Sequence, residues 1–218
     1  MSEDNGLNRI RYGIDSYLEW VNAEGVPVVK DYGVDLLQVE TAEWPRFGMR
    51  GASVHLEGRG DFCSMFVFEI PPAGSSSPQR HLYEEAIYVL EGRGSTQIEF
   101  ADGRKHSFEW GQRSLFAIPL NAKYRLFNAS GRERARVVST TDLPLVMNTF
   151  HNEKFIFEND FDFSDRVGKS EYFTGQGDLI AVRPGNHMWE TNFVPDLAKL
   201  ELKAWSDRGA GGSNIMFV

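Results

Sequence analysis

Hydrophobic positions change their spacing along this chain, and the change marks where a helix gives way to strands. In residues 14–24 apolar side chains recur at helical spacing until Gly25 and Pro27 end the pattern. From about residue 27 to 142, short runs rich in Val, Ile, Phe and Tyr are separated by Gly, Pro, Asn and Asp. Such runs are typical of antiparallel strands and turns. We therefore predict a short amino-terminal helix followed by an all-β region.

The β region contains about eight runs of this kind, spaced as in barrels and sandwiches. Asp102-Gly103 lies between two of them, where a tight hairpin turn requires positive φ. We predict one complete barrel over residues 44–142, preceded by the helix and an extended arm over residues 1–43. The clearest runs are SVHL, SMFVFEI, EAIYVLE, STQIEF, KHSFEW, SLFAIP, YRLF and ARVVST.

Residues 143–192 have a different pattern, in which phenylalanines alternate with acidic residues and Asn. We predict an extended arm with one apolar face, because each Phe needs a surface on which to be buried. The arm covers either its own barrel or a partner subunit. Its phenylalanines are Phe150, Phe155, Phe157, Phe161 and Phe163.

An internal repeat relates the segment before the barrel to the end of the chain. Residues 34–56 match residues 195–217 without gaps at an offset of 161, with six identities in 23 positions that include Trp44 and Trp205. Average composition would give roughly one or two identities by chance. Residues 193–218 are therefore predicted to be the start of a second, truncated copy of the barrel.

The repeat leaves two interpretations open. The sequence is either the front part of a two-barrel protein, or one in which the terminal strand is retained for another purpose. Because a lone apolar strand exposes unpaired backbone groups, residues 212–218 are predicted to form a strand at a sheet edge of this barrel or of a partner's.

Composition excludes several classes of function. The net charge of -8 argues against nucleic acid as a partner, because that requires clustered Lys and Arg. Cys63 is the only cysteine, so an intramolecular disulfide is excluded, and we expect this residue to be buried in its apolar run. No apolar run reaches about 18 residues, and the amino terminus lacks a signal-peptide core. We expect a cytoplasmic protein without a membrane partner.

The candidate chemistry centres on PPAGSSSPQRHLYEEAIYVLEGRG. Gln79 and His81 share one face of an extended strand, and Glu85 can converge on that face after a bend. The segment resembles the first motif of the cupin superfamily, which runs Gly, five residues, His, one, His, three or four, Glu, six, Gly. Gln79 stands at the first His position, His81 at the second and Glu85 at the Glu position, and Gly92 closes the motif.

The second cupin motif ends in Pro, one residue, Gly, two, His, three, Asn. Pro119 and Asn128 keep this spacing, with Asn121 at the Gly position and Tyr124 at the His position. Asn tolerates positive φ better than most residues, so Asn121 is a mild replacement for Gly. The two motifs together imply an all-β cupin fold, a double-stranded β-helix (jelly-roll barrel) with a short amino-terminal helix and a carboxy-terminal extension.

The resemblance also implies a metal site, because cupins typically hold a divalent metal with three His and one Glu. Matched position by position, this chain offers Gln79, His81, Glu85 and Tyr124. These oxygen-rich ligands would favour iron or manganese, and we expect the four side chains to converge inside the barrel. The alternative is a hydrogen-bonded pair of His81 and Glu85 in a barrel that has lost its metal.

Two classes of function remain open. One is a metal-dependent enzyme, a dioxygenase or decarboxylase that acts on a small organic molecule. The other is a non-catalytic cupin that binds a small molecule or has a structural role. The sequence names neither a substrate nor a catalytic residue.

We predict that the protein forms a homodimer. The Phe-rich arm and the amino-terminal segment both lie outside the barrel motifs, and cupin barrels commonly pair through such extensions. Sedimentation at micromolar concentration should give about twice the mass of one chain. A single species with the mass of one chain would contradict the prediction.

Overall fold

The computed structural model describes residues 15–58, 60–166, 169–183, 186–200 and 215–217. The α-helices are α1 (Ser16–Ala23), α2 (Leu143–Phe150) and α3 (Glu153–Phe157), and short 3-10 helices span Ser164–Arg166, Ser170–Phe173 and Leu197–Lys199. The strands are β1 (Val28–Asp31), β2 (Ala42–Trp44), β3 (Met49–Leu56), β4 (Ser64–Ile70), β5 (Glu85–Glu91), β6 (Arg93–Glu99), β7 (Lys105–Gly111), β8 (Leu115–Ile118), β9 (Lys123–Asn128), β10 (Ala135–Thr141), β11 (Asp178–Arg183), β12 (Asn186–Glu190), β13 (Phe193–Val194) and β14 (Ile215–Met216).

Two sheets form the barrel. The larger has the strand order β1-β3-β4-β10-β5-β8-β13, with β2 paired to β3, and the smaller has the order β7-β6-β9. All of these pairs are antiparallel except β1 with β3. Buried side chains of both sheets belong to one hydrophobic core, so the sheets pack face to face. The predicted all-β jelly roll with a short amino-terminal helix is confirmed.

The turn predicted at Asp102-Gly103 joins β6 to β7. Gly103 has φ +85°, and its N–H donates to the carbonyl of Phe100 at 2.9 Å. The positive φ expected at Asn121 is also present, at +57°. Both positions need a conformation that most residues with a Cβ avoid.

The amino-terminal helix is tied directly to the barrel. Asp15 caps α1 by accepting the N–H of Leu18 at 2.8 Å, which satisfies one of the free donors at a helix start. The Tyr17 hydroxyl lies 3.0 Å from the hydroxyl of Ser53 and 2.5 Å from that of Ser64. These contacts join α1 to β3 and β4.

The segment from residue 143 is not the extended arm that the phenylalanine pattern predicts, because it begins with two short helices. Pro144 lies in the first turn of α2, where its fixed φ favours a helix and its missing N–H is not needed. Leu143 and Met147 are buried one helical turn apart. The Asn152 side chain caps α3 by accepting the N–H of Phe155 at 3.0 Å. The helical spacing therefore lies in the aliphatic residues, and the phenylalanines do not reveal it.

The internal repeat has the same local structure at its first turn. The Asp35 side chain accepts the N–H of Leu37 at 3.0 Å, and its carbonyl accepts that of Gln38 at 3.0 Å. In the second copy, the Asp196 side chain accepts the N–H of Ala198 at 3.0 Å, and its carbonyl accepts that of Lys199 at 3.1 Å. Most of the second copy, residues 201–214, lies outside the described residues.

The predicted terminal strand is present in part but joins a different sheet. Residues 212–214 and 218 lie outside the described residues. Ile215–Met216 form β14, which pairs in parallel with β12 in the sheet β11-β12-β14. The strand therefore extends the carboxy-terminal hairpin and not a barrel sheet.

Cys63 is exposed, which corrects the expectation that it is buried. Residues 60–62 form a turn, and β4 begins only at Ser64. The apolar run that follows Cys63 in the sequence therefore enters the barrel one residue too late to include it.

Arg136 on β10 fastens the first copy of the repeat to the barrel. Its guanidinium donates to the carbonyls of Leu36 at 3.0 Å and Val39 at 2.6 Å and forms an ion pair with Glu69. The side chains of Arg136 and Glu69 are only 2% and 9% exposed. Arg134 also pairs with Glu69, at 2.8 Å, but its side chain is 51% exposed.

Breaking this buried pair is expected to destabilise the fold. Arg136→Ala should lower the free energy of unfolding by about 3–5 kcal/mol, because it leaves a buried carboxylate short of its main partner. The matched control Arg134→Ala removes an exposed partner of the same carboxylate and should cost about 0–1 kcal/mol. Urea denaturation measures the free energy of unfolding of both variants. Equal losses of stability would show that the burial of the arginine does not determine how much its ion pair with Glu69 stabilises the fold.

Candidate functional site

The side chains at the barrel centre come from four separate elements. His81 lies in the loop between β4 and β5, Glu85 begins β5, Tyr124 belongs to β9 and Ser139 to β10. The loop is held to β9 by two backbone hydrogen bonds between Gln79 and Tyr124, at 2.9 and 3.0 Å. This pairing brings the two sequence motifs together.

Glu85 is the acceptor at the middle of the cluster. One carboxylate oxygen, Oε2, accepts the hydroxyl of Tyr124 at 2.7 Å and lies 3.2 Å from Nε2 of His81. The other, Oε1, accepts the hydroxyl of Ser139. Glu85, His81 and Tyr124 are 3%, 3% and 5% exposed, so these contacts replace water at a buried charge.

His81 is fixed from both sides of its ring. Its Nδ1 lies 3.1 Å from the carbonyl of Tyr83, and its Nε2 faces Glu85. The ring also stacks on the ring of Tyr83, with centroids 3.5 Å apart and planes within 3°. Each ring nitrogen of His81 therefore faces a protein oxygen.

Gln79 is held in a different way from the other three predicted ligands. Its Nε2 donates to the backbone carbonyls of Arg46 and Ser77, each at 3.2 Å. The structure thus joins His81, Glu85 and Tyr124 in one hydrogen-bonded cluster and ties the Gln79 amide to neighbouring backbone.

The surroundings set the protonation of the cluster. Burial raises the pKa of Glu85, but hydrogen bonds from His81, Ser139 and Tyr124 outweigh it, so this pKa lies below the ordinary 4.5. Burial first, and then the charge of Glu85, raises the pKa of Tyr124 well above the ordinary 10.0. At neutral pH Glu85 is therefore a carboxylate and Tyr124 a neutral phenol that donates to it.

This donor set does not fit the metal centre that the resemblance implies. The described residues contain no group of three or more His, Cys, Asp and Glu side chains that could hold an ion. Tyr124 would bind a metal best as phenolate, whereas here its hydroxyl donates to Glu85 at 2.7 Å. Only His81 and Glu85 retain the chemistry of the usual set of three His and one Glu.

Two residues at the centre carry no signal in the sequence. Ser139 lies in the run ARVVST, and nothing in that run marks it as the partner of a carboxylate. Tyr83 follows His81 closely, and its side chain is 1% exposed. The Tyr83 hydroxyl is buried without a hydrogen-bond partner among the described residues. The role of Ser139 is visible only in the pairing of β10 with β5. The role of Tyr83 is visible only in its stacking on His81.

Helices α1 and α3 cover this centre, and Arg46 holds them together. Its guanidinium donates to Glu24, just after α1, at 2.7 and 2.9 Å and to Glu153 in α3. The guanidinium carbon lies 4.5 Å from the ring centroid of Phe157, and that ring packs on Tyr83 at 5.9 Å. Tyr83 in turn stacks on His81, so the cover reaches the cluster through two rings.

No helix among the described residues is long and apolar enough to cross a membrane.

The sequence matches a known domain family over about a third of the chain. Residues 66–141 match the cupin domain family, and this range contains both motifs and all four predicted ligand positions. None of the curated proteins compared with the chain matches it.

Solved structures resemble about half of the chain at low identity. The oxalate decarboxylase of Lactobacillus farciminis, in its formate complex, is 15% identical with a TM-score of 0.43, covering 49% of this chain and 32% of its own. The vicilin of Capsicum annuum is 17% identical with a TM-score of 0.44, covering 51% and 31%. The Cnp3 cupin domain of Schizosaccharomyces pombe is 18% identical with a TM-score of 0.41, covering 50% and 68%. The matched part spans about a third of the decarboxylase and vicilin chains.

The lowered pKa of Glu85 predicts a loss of stability in acid. A carboxyl whose pKa is lower in the folded state stabilises that state above its unfolded pKa, and the contribution is lost as pH falls through the folded value. The stability difference between wild type and Glu85→Gln should therefore be constant above about pH 5 and shrink below pH 4.5. Urea denaturation from pH 7 to pH 3 measures it. A difference that stays constant down to pH 3 would exclude Glu85 as the titrating group.

Proposed function

Because this chain contains a cupin domain at residues 66–141, we propose that it is a non-catalytic cupin whose barrel centre has exchanged a metal for a hydrogen-bonded cluster. One observation carries the proposal. Both oxygens of Glu85 accept hydrogen bonds from protein side chains, and both ring nitrogens of His81 face protein oxygens. A centre satisfied in this way holds the barrel together, and the chain serves as a binding or structural module.

The energetic argument concerns what an ion would displace. A metal bound at Oε2 of Glu85 would compete with the hydroxyl of Tyr124, which now donates to that oxygen. A buried hydroxyl that loses its acceptor costs about 1–3 kcal/mol. With only one imidazole and one carboxylate of the usual type, the chain offers little to offset that cost.

A metal-dependent dioxygenase or decarboxylase is the second candidate. The feature in its favour is the 3.2 Å separation of His81 Nε2 and Glu85 Oε2, because two adjacent ligands about 2.1 Å from one ion lie about 3 Å apart. Iron or manganese held by Gln79, His81, Glu85 and Tyr124 stays a prediction, which the experiment below decides.

Other predictions from the sequence stay predictions. They are the homodimer, the cytoplasmic location and a small-molecule ligand. The division of the chain into segments 1–43, 44–142, 143–192 and 193–218 is also still a prediction. The last segment is proposed as the start of a second cupin-like repeat, and the turn that Asp196 shares with Asp35 supports this.

The metal content of the purified protein tests the proposal. Protein from cells grown with iron, manganese and zinc should contain far less than one metal ion per chain by elemental analysis. His81→Ala should lower the free energy of unfolding by about 1–3 kcal/mol, because the buried carboxylate of Glu85 loses one of its partners and the ring loses its packing, without changing the metal content. His151→Asn replaces an exposed histidine at a positive φ that Asn tolerates, and serves as the control. Nearly one iron or manganese per chain in wild type, lost in His81→Ala and kept in His151→Asn, would overturn the proposal.

A further inference from the structure

An exposed aromatic pair on the helical cover carries a further inference. Phe150 and Phe155, which we call the aromatic patch, lie where α2 meets α3. We propose that residues 9–14 of the same molecule, RIRYGI, pack on this patch and fasten the cover over the barrel centre. We call these six residues the basic segment. The inference stands whether or not the barrel holds a metal, because it concerns the outer side of the cover.

The aromatic patch is an unusually apolar piece of surface. Its two ring centroids are 4.8 Å apart, and Phe150 and Phe155 are 53% and 40% exposed. Of the seven large apolar side chains that are exposed among the described residues, four lie between residues 145 and 161. Scattered apolar side chains on a surface need no explanation, but adjoining ones mark a contact site. Two touching phenyl rings left half in water therefore favour a covering segment.

The start of α1 lies beside the aromatic patch. The Ser16 hydroxyl lies 2.5 Å from Nδ1 of His151, the residue that follows Phe150. The N–H of Tyr17 donates to the side chain of Asn148 at 3.0 Å. An extended chain covers about 3.3–3.6 Å per residue, so the basic segment, which directly precedes the start of α1 in the sequence, has the length to reach both rings. A partner from another molecule would have to be brought there, whereas this segment is held there covalently.

The basic segment has the composition that such a surface requires. Ile10, Tyr12 and Ile14 alternate with Arg9 and Arg11. In an extended chain alternate side chains share one face, so the three apolar side chains can lie together on the rings. The arginines have long stems that can run along apolar surface and carry the charge to its border.

The border of the aromatic patch is negatively charged. Residues 152–165 contain five carboxylates against the single cation Lys154. Glu158 follows the second ring of the patch by three residues, which places it on the same side of α3. It is exposed, and within the described residues it forms no ion pair. Arg9 and Arg11 bring the opposite charge to this border, and an acidic segment would be repelled from it.

Covering the patch would strengthen the closure of the barrel centre. The ring of Phe157 in α3 stacks on Trp20 of α1 with centroids 5.5 Å apart, and its edge packs on Tyr83. Tyr83 stacks on His81. A segment that joins the start of α1 to α2 and α3 therefore adds an outer layer to the rings that separate His81 from water.

Hydrogen exchange of the full chain tests the inference. The amides of residues 9–14 should exchange about tenfold or more slowly in wild type than in the double variant Phe150→Ser, Phe155→Ser, because a docked segment must open before it exchanges. The α3 amides should also exchange faster in that variant. Phe161→Ser is the matched control. It removes a ring that is 62% exposed but packs on Phe163, and should leave the exchange of residues 9–14 unchanged.

A second variant leaves the patch itself intact. Arg9→Glu with Arg11→Glu should also remove the protection of residues 9–14, since it sets like charges against the border of the patch. Circular dichroism should show both double variants folded. Unprotected amides in wild type would overturn the inference, and so would protection that survives in the arginine variant.

Cross-linking identifies which molecule supplies the segment. Cys63 is exposed, so Cys63→Ser removes the native thiol, and Asn8→Cys with Lys154→Cys places one thiol beside the basic segment and one beside Phe155. A short bismaleimide should join the two thiols within one chain, giving a product with the mass of one chain in mass spectrometry. A cross-linked product of two chains would place the segment on a second copy and would overturn the inference.

Discussion

A carboxylate enclosed at the centre of a barrel is the constraint on which this structure depends. An unpaired charge in such a place is costly enough to prevent folding, so donors must reach Glu85 from other elements. They come from the loop that carries His81, from Tyr124 on β9 and from Ser139 on β10. Since β9 belongs to the smaller sheet and β5 with β10 to the larger, the cluster joins the two sheets across the core. A slip of one residue in any of these strands would turn its donor away from Glu85.

The cover over this centre follows from the same need to exclude water. Tyr83 stacks on His81, Phe157 packs on Tyr83, and the guanidinium of Arg46 lies against Phe157. A cation against an aromatic face is favourable when partly desolvated. The ion pairs of Arg46 with Glu24 and Glu153 also hold the ends of α1 and α3 in place. Two short helices that could not be stable alone are in this way held over the barrel.

The sequence predicts the parts of the site that depend on spacing within a strand or motif. His81, Glu85 and Tyr124 converge because the motifs fix their positions, and the positive φ at Asn121 follows from the Gly position that it occupies. Ser139 could not be predicted, because its role arises from pairing between β5 and β10, 54 residues apart. The side-chain bonds of Gln79 depend on the carbonyl of Arg46, which the motif does not contain. The helices after residue 142 were missed because Leu143 and Met147, and not the phenylalanines, carry their buried face.

The positions at which this chain departs from the cupin motifs share one property. Tyr124, at a His position, donates to Glu85, and Gln79, at another, donates to the backbone of Arg46, whose side chain clamps the covering helices. Asn121, at a Gly position, donates to the carbonyls of Asn159 and Phe161. Each replacement therefore gains a hydrogen-bond partner that an imidazole bound to a metal, or a glycine, would not use in this way. The three changes are coherent as a set, because each ties a motif position by a hydrogen bond to a carboxylate or a backbone carbonyl of another segment.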